Sequence, residues 1–447
     1  MSAQKKGMFV TPDGRNVVAT FALVSSLFLL WGFCNGMIDV MDKHFQTELK
    51  LTLAQSAWVQ FAHYLGYFLM ALPAGWLATR LGYRGGIVAG LLMVALGGFW
   101  FIPATRIASF WAFLVGVCVI AAGLTFLETI ANPYNTVLGD PRYAATRINL
   151  AQSMNGIGWI LGPLAGAAFF YGRDETGAST GSQTLWIPYA FVGVVVLILA
   201  AVFFRADVPD IKAEDDYHLD DASASVSHSI WSHPHFWVAV MAQFLYVAAQ
   251  AGIFSFFINY MTSQTPPLPP SWTSGVLRAW LEDGSGGALR LTDQGAANLA
   301  SLGFVFFLAG RFSGAAILKK YPAHAVLGLY GLTNTVLCLL VFLKLGWFSV
   351  VCVFLSYFFM SIMFPTIFAL GIHGLGVHAK KASAFIVMAI MGGALLPKLM
   401  GHVGDLHGMS RAFVVPLFCF AFVAAYGFAW PRLSGVDSLH GVKPGSH

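Results

Sequence analysis

The sequence predicts an all-α membrane protein in which twelve transmembrane helices form two pseudo-symmetric bundles of six. Of its 447 residues, 57% are hydrophobic and 10% are charged, whereas ordinary soluble domains carry about 25% charged residues. Apolar segments long enough for the roughly 20 residues of a membrane helix recur along the whole chain. The chain is therefore expected to be a multi-pass protein rather than a soluble domain with one anchor.

The apolar segments are separated by short polar loops, which set their approximate ends. The predicted spans are 17–41, 53–79, 85–104, 108–137, 147–171, 185–204, 234–261, 294–318, 323–343, 348–375, 382–403 and 411–431. An even number of spans places both termini on one side of the membrane. The loops on that side carry fifteen Lys and Arg residues against nine on the other. The positive-inside rule then predicts that both termini are cytoplasmic.

An acidic, polar segment over 206–232 divides the chain into an N-terminal bundle, 17–205, and a C-terminal bundle, 233–432. Its composition is typical of a solvated cytoplasmic linker. The two halves also resemble each other. Residues 73–90 align with 311–328, and residues 132–139 align with 364–371, at equivalent places in each half. Two six-helix repeats related by an axis along the membrane normal predict a binding site between the halves.

The fourth predicted helix carries polar side chains in an otherwise apolar segment. Glu128, Asn132 and Asn135 have i, i+4, i+7 spacing and share one face of a helix. An ionisable residue near the middle of a bilayer costs at least about 2.5–3.5 kcal/mol, so it normally faces a cavity or a partner. Glu128 is therefore predicted to mark an ion or substrate path. The two asparagines could serve instead as contacts between helices.

The fifth predicted helix repeats this pattern with Asn149, Gln152 and Asn155 at i+3 steps. The glycine-rich segment 156–166 follows directly. Glycines allow close packing of membrane helices, so this helix is expected to line a narrow cavity. A short basic turn that contains Arg147 joins it to the fourth helix.

The first predicted helix carries Asn35 and Asp39 on one face, at i and i+4. Asp39 lies near the outer end of that helix, so an exposed helix-end position is the alternative to a cavity position. Asp42, Lys43 and His44 follow the predicted end of the span and are expected in the loop.

Other polar residues within the spans are candidates for binding, gating or structural roles. They are Gln243, Tyr246 and Gln250 on the seventh span, Arg311 on the eighth, and His63 on the second. Trp31 is expected to contribute to packing or to the interfacial belt. The loop 262–293 is predicted to face outside, as either a lid or a passive insertion with a short amphipathic helical turn.

The composition also argues against other classes of protein. The net charge of +5 is spread over short loops, so it does not indicate nucleic-acid binding. The five cysteines lie within apolar segments and are expected to be small buried hydrophobes. The sequence has no phosphate-binding loop, metal cluster or nucleophile triad, so no enzymatic activity, cofactor or metal is expected. The expected partners are the lipid bilayer and a small solute, and the protein is expected to be monomeric.

Several motifs make the sequence specific. LFLLWGFCNGMID (27–39), GLTFLETIANPY (123–134), RINLAQSMNGIG (147–158), MAQFLYVAAQ (241–250) and FLAGRFSG (307–314) resemble the fucose/galactose/glucose:proton symporter family of the major facilitator superfamily. The resemblance covers residues 20–430, and the fucose permeases are the members it resembles most.

The resemblance implies that Asp39 and Glu128 take part in proton coupling and sugar binding, and that Gln152 and Asn155 face the sugar. Gly36 and Ile38 stand where fucose permeases often carry asparagines, so the identity of the sugar is open.

The expected function is uptake of a monosaccharide, preferably L-fucose, driven by a proton gradient across the bacterial inner membrane. Sugar hydroxyls need partners that both donate and accept hydrogen bonds, a role that Asn35, Asn132, Asn135, Gln152, Asn155, Gln243, Tyr246 and Gln250 can fill. The alternatives are symport of glucose, galactose or N-acetylglucosamine, proton-independent facilitation and, with less support, sugar sensing.

Overall fold

The computed structural model describes residues 8–10, 14–107, 109–138, 144–171, 184–206, 232–268, 275–283, 289–318, 320–373, 375 and 379–435. Most of these residues are helical, as the sequence predicts. Much of the predicted linker 206–232 lies outside them, as do parts of the loop 262–293 and the turn 139–143.

The first six predicted spans fall within six helices. They are α1 (Val18–Glu48), the short α2 (Leu53–Ser56), α3 (Trp58–Ile107), α4 (Phe110–Val137), α5 (Ala144–Phe170) and α6 (Trp186–Arg205). The 50-residue α3 contains two predicted spans. They meet at Gly82, where φ is 68° and ψ is 178°. Glycine adopts a positive φ without a steric cost, so the chain can bend there between the two spans.

The later spans are broken more often into shorter helices. They form α7 (Pro234–Ser255), α8 (Phe257–Gln264), α9 (Asp293–Leu318), α10 (Ala323–Phe342), α11 (Trp347–Met360), α12 (Met363–Ile372), α13 (Ala379–Met388), α14 (Gly392–His407), α15 (Met409–Ala412) and α16 (Val414–Ser434). A 3-10 turn, Ala389–Met391, joins α13 to α14.

Ten helices within the described residues are long and apolar enough to cross a membrane. The predicted spans 53–79 and 147–171 are not among the ten, although both are largely helical. Both carry several polar side chains, including His63 in the first and Gln152 and Asn155 in the second. The total of twelve spans therefore stays a prediction.

The chain divides into two compact units. One comprises residues 1–38 and 62–217, and the other comprises 39–61 and 218–447. The end of α1, α2 and the start of α3 therefore pack with the second unit. The predicted domain bounds, 17–205 and 233–432, stay a prediction.

Close helix packing in the first unit depends on glycine. A Cβ atom on Gly162 would lie 2.7 Å from the Phe33 carbonyl oxygen, and one on Gly158 or Gly32 would overlap backbone atoms of the facing helix. The packing role predicted for the glycines after Asn155 is therefore confirmed. It brings the backbones of α1 and α5 together at the level of Asn155.

The segment between α8 and α9 contains the described β-structure. A 3-10 helix over Gly275–Trp280 leads into antiparallel strands β1 (Leu281–Asp283) and β2 (Leu289–Leu291), with Glu282 opposite Arg290. The predicted helical turn in this segment is confirmed. The two strands were not predicted, because three-residue strands leave too short a pattern to identify.

Candidate functional site

Glu128 of α4 lies at a small cleft within the first unit. The other lining residues are Leu27, Phe28, Trp31, Leu127 and Ala131, and the cleft has a volume of about 10 Å³. A cavity of about this size holds one water molecule, so the cleft has room for a proton carrier or a single ligand hydroxyl. A carboxylate set among apolar and aromatic side chains is suited to binding a proton or a ligand hydroxyl.

A hydrogen bond lies beside that carboxylate. The Trp31 indole nitrogen donates to the Tyr67 hydroxyl, and the Asn35 side chain lies near the same hydroxyl. This hydroxyl lies within electrostatic range of Glu128. The His63 ring packs against Tyr67 with the centroids 5.0 Å apart. These contacts give the Glu128 cleft a fixed aromatic wall.

Two predicted residues and one that was missed lie in this arrangement. Trp31 lines the cleft and donates a hydrogen bond to Tyr67, which is compatible with its expected packing role. His63 is buried within the aromatic group. Tyr67 was missed, although its position four residues after His63 places it on the same helix face.

Glu128 has no ion-pair partner within the described part of the chain, where the one ion pair joins Lys43 to Asp293 at 3.7 Å. A structural carboxylate in an apolar region normally has a cationic partner, because burying an unpaired charge is costly. Among the described residues, Glu128 therefore lacks the ion pair expected of a structural carboxylate.

The amides of α4 and α5 have different surroundings. Asn135 is fully buried, and neither polar atom of its side chain has a hydrogen-bond partner among the described residues. Gln152 is partly buried. Asn155 is 1% exposed, and its Nδ2 donates to the Phe28 carbonyl oxygen at 3.4 Å. Asn155 therefore makes a contact between helices beside a residue of the Glu128 cleft. The side chains of Asn132 and Asn149 lie outside the described residues.

Arg147 is a buried structural residue that sequence reasoning assigned to a turn. It lies inside α5 and is fully buried. Its Nε donates to the Asn135 carbonyl oxygen and its Nη1 to the Met8 carbonyl oxygen, both at 3.0 Å. It thus joins α5, the end of α4 and the N-terminal segment. No residue spacing in the sequence indicates that Arg147 bonds to these backbone carbonyl oxygens.

Asp39 is buried in the second unit, so the exposed helix-end alternative was wrong. Its Oδ1 accepts hydrogen bonds from Gln60 Nε2 at 2.8 Å and from Ser255 Oγ at 3.4 Å. The expected loop position of Asp42, Lys43 and His44 was also wrong, because α1 continues to Glu48. Asp42 and His44 are buried there. The sequence prediction missed this helical turn because it relied on apolar runs, and the residues of the turn are mostly polar.

The candidates on α7 and α9 lie together in the second unit. Gln243 is fully buried, and its amide oxygen and nitrogen have no partner among the described residues. The Tyr246 hydroxyl donates to the Met360 carbonyl oxygen at 2.9 Å and lies within electrostatic range of Arg311. The Arg311 guanidinium also lies 4.9 Å from the Phe307 ring centroid. Gln250 is partly buried. Tyr246 therefore has a structural bond, whereas Gln243 keeps free hydrogen-bonding capacity.

The departure at Gly36 has a steric explanation. A Cβ atom there would lie 3.0 Å from Pro163 Cδ and 3.1 Å from the Trp159 carbonyl oxygen. Position 36 therefore faces α5 too closely for an asparagine side chain. The change from asparagine affects the contact between α1 and α5, so it does not simply remove a polar group from a cavity.

The sequence matches the Major Facilitator Superfamily over residues 18–397. The chain belongs to this superfamily. It is 34% identical to the L-fucose-proton symporter of Escherichia coli, over 92% of this chain and 93% of that protein. It is 31% identical to a glucose/galactose transporter of Brucella abortus, over 91% and 93% respectively.

The same superfamily fold appears in a solved structure of the Escherichia coli fucose:proton symporter. The TM-score is 0.65 at 33% sequence identity, over 93% of this chain and 99% of the other. The resemblance to the fucose symporters that the sequence motifs predicted is confirmed. With its apolar helices, the chain is a multi-pass membrane protein whose curated relatives are transporters.

Proposed function

We propose that this protein is a proton-coupled monosaccharide symporter that takes up L-fucose by alternating access. The observation that carries the proposal is Glu128, a carboxylate without an ion-pair partner among the described residues, beside the Trp31–Tyr67 hydrogen bond. Proton coupling needs a carboxylate that can load and release a proton, and apolar surroundings favour such behaviour near neutral pH. Similarity to L-fucose-proton symporters over most of the chain supports the choice of substrate.

In this proposal the sugar binds through amides and an aromatic face. Gln152, Gln243 and Asn135 supply amides that both donate and accept, as sugar hydroxyls require. Trp31 supplies a flat apolar surface for one face of the ring. Asp39 and Glu128 exchange the coupling proton. The protein works as a monomer in the inner membrane, with the segment 206–232 as a cytoplasmic linker.

Glucose or galactose is the second candidate substrate, because a Brucella abortus glucose/galactose transporter is 31% identical over most of the chain. We expect L-fucose to compete for transport at lower concentration than glucose, galactose or N-acetylglucosamine. Purified protein in proteoliposomes would be tested with labelled fucose, with and without an inward proton gradient. Fucose entry that stops at equal concentrations and does not depend on the proton gradient would identify a facilitator, and a tenfold preference for another sugar would overturn the fucose assignment.

The proposed topology places both termini and the linker in the cytoplasm and the segment 262–293 outside, in accordance with the excess of basic residues in the cytoplasmic loops. A cysteine introduced at Arg278, which is exposed, should react with an impermeant maleimide in intact cells. A cysteine introduced at Asp216 should react only after the cells are opened. Wild-type protein measures labelling of the native cysteines. Labelling of position 216 from outside would contradict this topology.

A further inference from the structure

Asp42 lies three residues after Asp39, on the same side of α1. Asp39 is 9% exposed and Asp42 is fully buried. The two carboxylates lie within electrostatic range of each other. Two acidic side chains therefore share one buried region of the second unit, where sequence reasoning had placed only Asp39.

The hydrogen bonds of this region do not satisfy two carboxylates. Gln60 and Ser255 both donate to Asp39 Oδ1, while Asp39 Oδ2 and both Asp42 oxygens have no partner in the described residues. The Ser56 hydroxyl interacts with Asp42, but at hydrogen-bond distance it donates to the Leu53 carbonyl oxygen, 3.1 Å away. Three buried carboxylate oxygens thus lack a donor at hydrogen-bond distance among the described residues.

A tyrosine on another helix lies near the acidic pair and also lacks a hydrogen-bond partner among the described residues. Tyr357 of α11 is fully buried, and its hydroxyl has no hydrogen-bond partner among the described residues. This hydroxyl lies within electrostatic range of Asp39. The Tyr357 ring packs against Phe254, with the centroids 4.7 Å apart, and against Phe304 at 5.4 Å. The acidic pair therefore borders an apolar wall that holds a free hydroxyl.

The cation near the pair among the described residues is shared with other groups. Lys43 lies within electrostatic range of Asp42, but its ammonium group is 3.7 Å from Asp293 and 3.3 Å from the Gln46 amide oxygen. Tyr357 is a further titratable group that faces the pair, and His44 follows Asp42 on the same helix and is buried. Two like charges in one buried region cannot both ionise at low cost.

We propose that Asp42 is a second proton-carrying carboxylate that shares one coupling proton with Asp39. The proton is taken from water onto a carboxylate oxygen of the pair and is later returned to water on the other side of the membrane. One O–H bond forms and later breaks, and no electrons are transferred. This role rests on the proposed symport activity and extends it to a residue outside the predicted site.

The test compares wild type, Asp42→Asn and Asp42→Glu in proteoliposomes. Fucose counterflow measures sugar exchange, and gradient-driven accumulation is measured as a function of external pH. With Asn at position 42, Asp39 loses a neighbouring negative charge and binds its proton less tightly. We expect the pH of half-maximal accumulation to fall by about one unit, because two ionisable groups that titrate as a coupled pair interact by more than about 1 pK unit. Counterflow should stay within about threefold of wild type, and Asp42→Glu should restore the wild-type pH profile.

Asp42→Leu guards against misfolding of the asparagine variant. Leucine has the same branched shape, although it is larger, and it leaves no buried polar group without a partner. A leucine variant that folds should therefore give the same acid shift. An unchanged pH profile in the variants that reconstitute would overturn the proposal, and so would accumulation driven by a sodium gradient at constant pH. A wild-type protein that fails to accumulate any sugar would instead overturn the proposed function.

Discussion

Replacing Glu128 with glutamine should abolish accumulation of sugar against a gradient while preserving sugar exchange. Glutamine keeps the size of the side chain and most of its hydrogen bonding, but it cannot bind and release a proton. The glutamine side chain should still occupy the cleft beside Trp31. The variant should still exchange labelled for unlabelled fucose. Net uptake and counterflow should be measured on the same proteoliposomes, because only their ratio separates lost coupling from lost binding.

A matched control is Glu282→Gln, which makes the same chemical change on the exposed strand β1. It should leave both measurements unchanged. If Glu128→Gln still accumulates fucose under a pH gradient, Glu128 is not the coupling group. Asp39 and its neighbours would then carry the proton, and Glu128 would be only a sugar ligand.

The main helices could be predicted from the sequence because the bilayer imposes a simple rule of length and apolarity. Glu128 could be selected as a candidate site residue because an isolated carboxylate in such a segment is costly. The same reasoning failed at the end of α1. The polar run from Asp42 to His44 resembles a loop in sequence, yet it forms part of a helix and is largely buried. Within this run, Lys43 pairs with Asp293, which lies more than 200 positions away in the chain.

The aromatic wall of the site was also beyond sequence reasoning. Tryptophan in a membrane protein most often packs or lies at the interface, and Trp31 has no neighbour in sequence that indicates a cleft. Its position depends on the hydrogen bond to Tyr67, 36 residues later in the chain. The amides present a related difficulty. Spacing places Asn155 and Gln152 on one helix face, but it does not reveal that the Asn155 amide hydrogen-bonds to the Phe28 carbonyl oxygen of a neighbouring helix.

Two alanine variants test these amides. Gln152→Ala should weaken fucose binding by about ten- to a hundredfold, because losing a hydrogen bond between an amide and a sugar hydroxyl costs about 1–3 kcal/mol. Asn155→Ala should weaken binding and also lower the melting temperature, since it removes the bond to the Phe28 carbonyl oxygen. Both quantities can be measured on purified protein, by fucose binding and by thermal unfolding in detergent.

Asn334 provides the control for the structural part of this effect. It is fully buried, and its Nδ2 donates to the Ser356 carbonyl oxygen at 3.4 Å, the same distance as in the Asn155 bond. Asn334→Ala should lower the melting temperature to a similar extent and leave fucose affinity unchanged. If Asn155→Ala behaves like Asn334→Ala in both measurements, Asn155 only holds α5 against α1. Sugar recognition by α5 would then depend on Gln152.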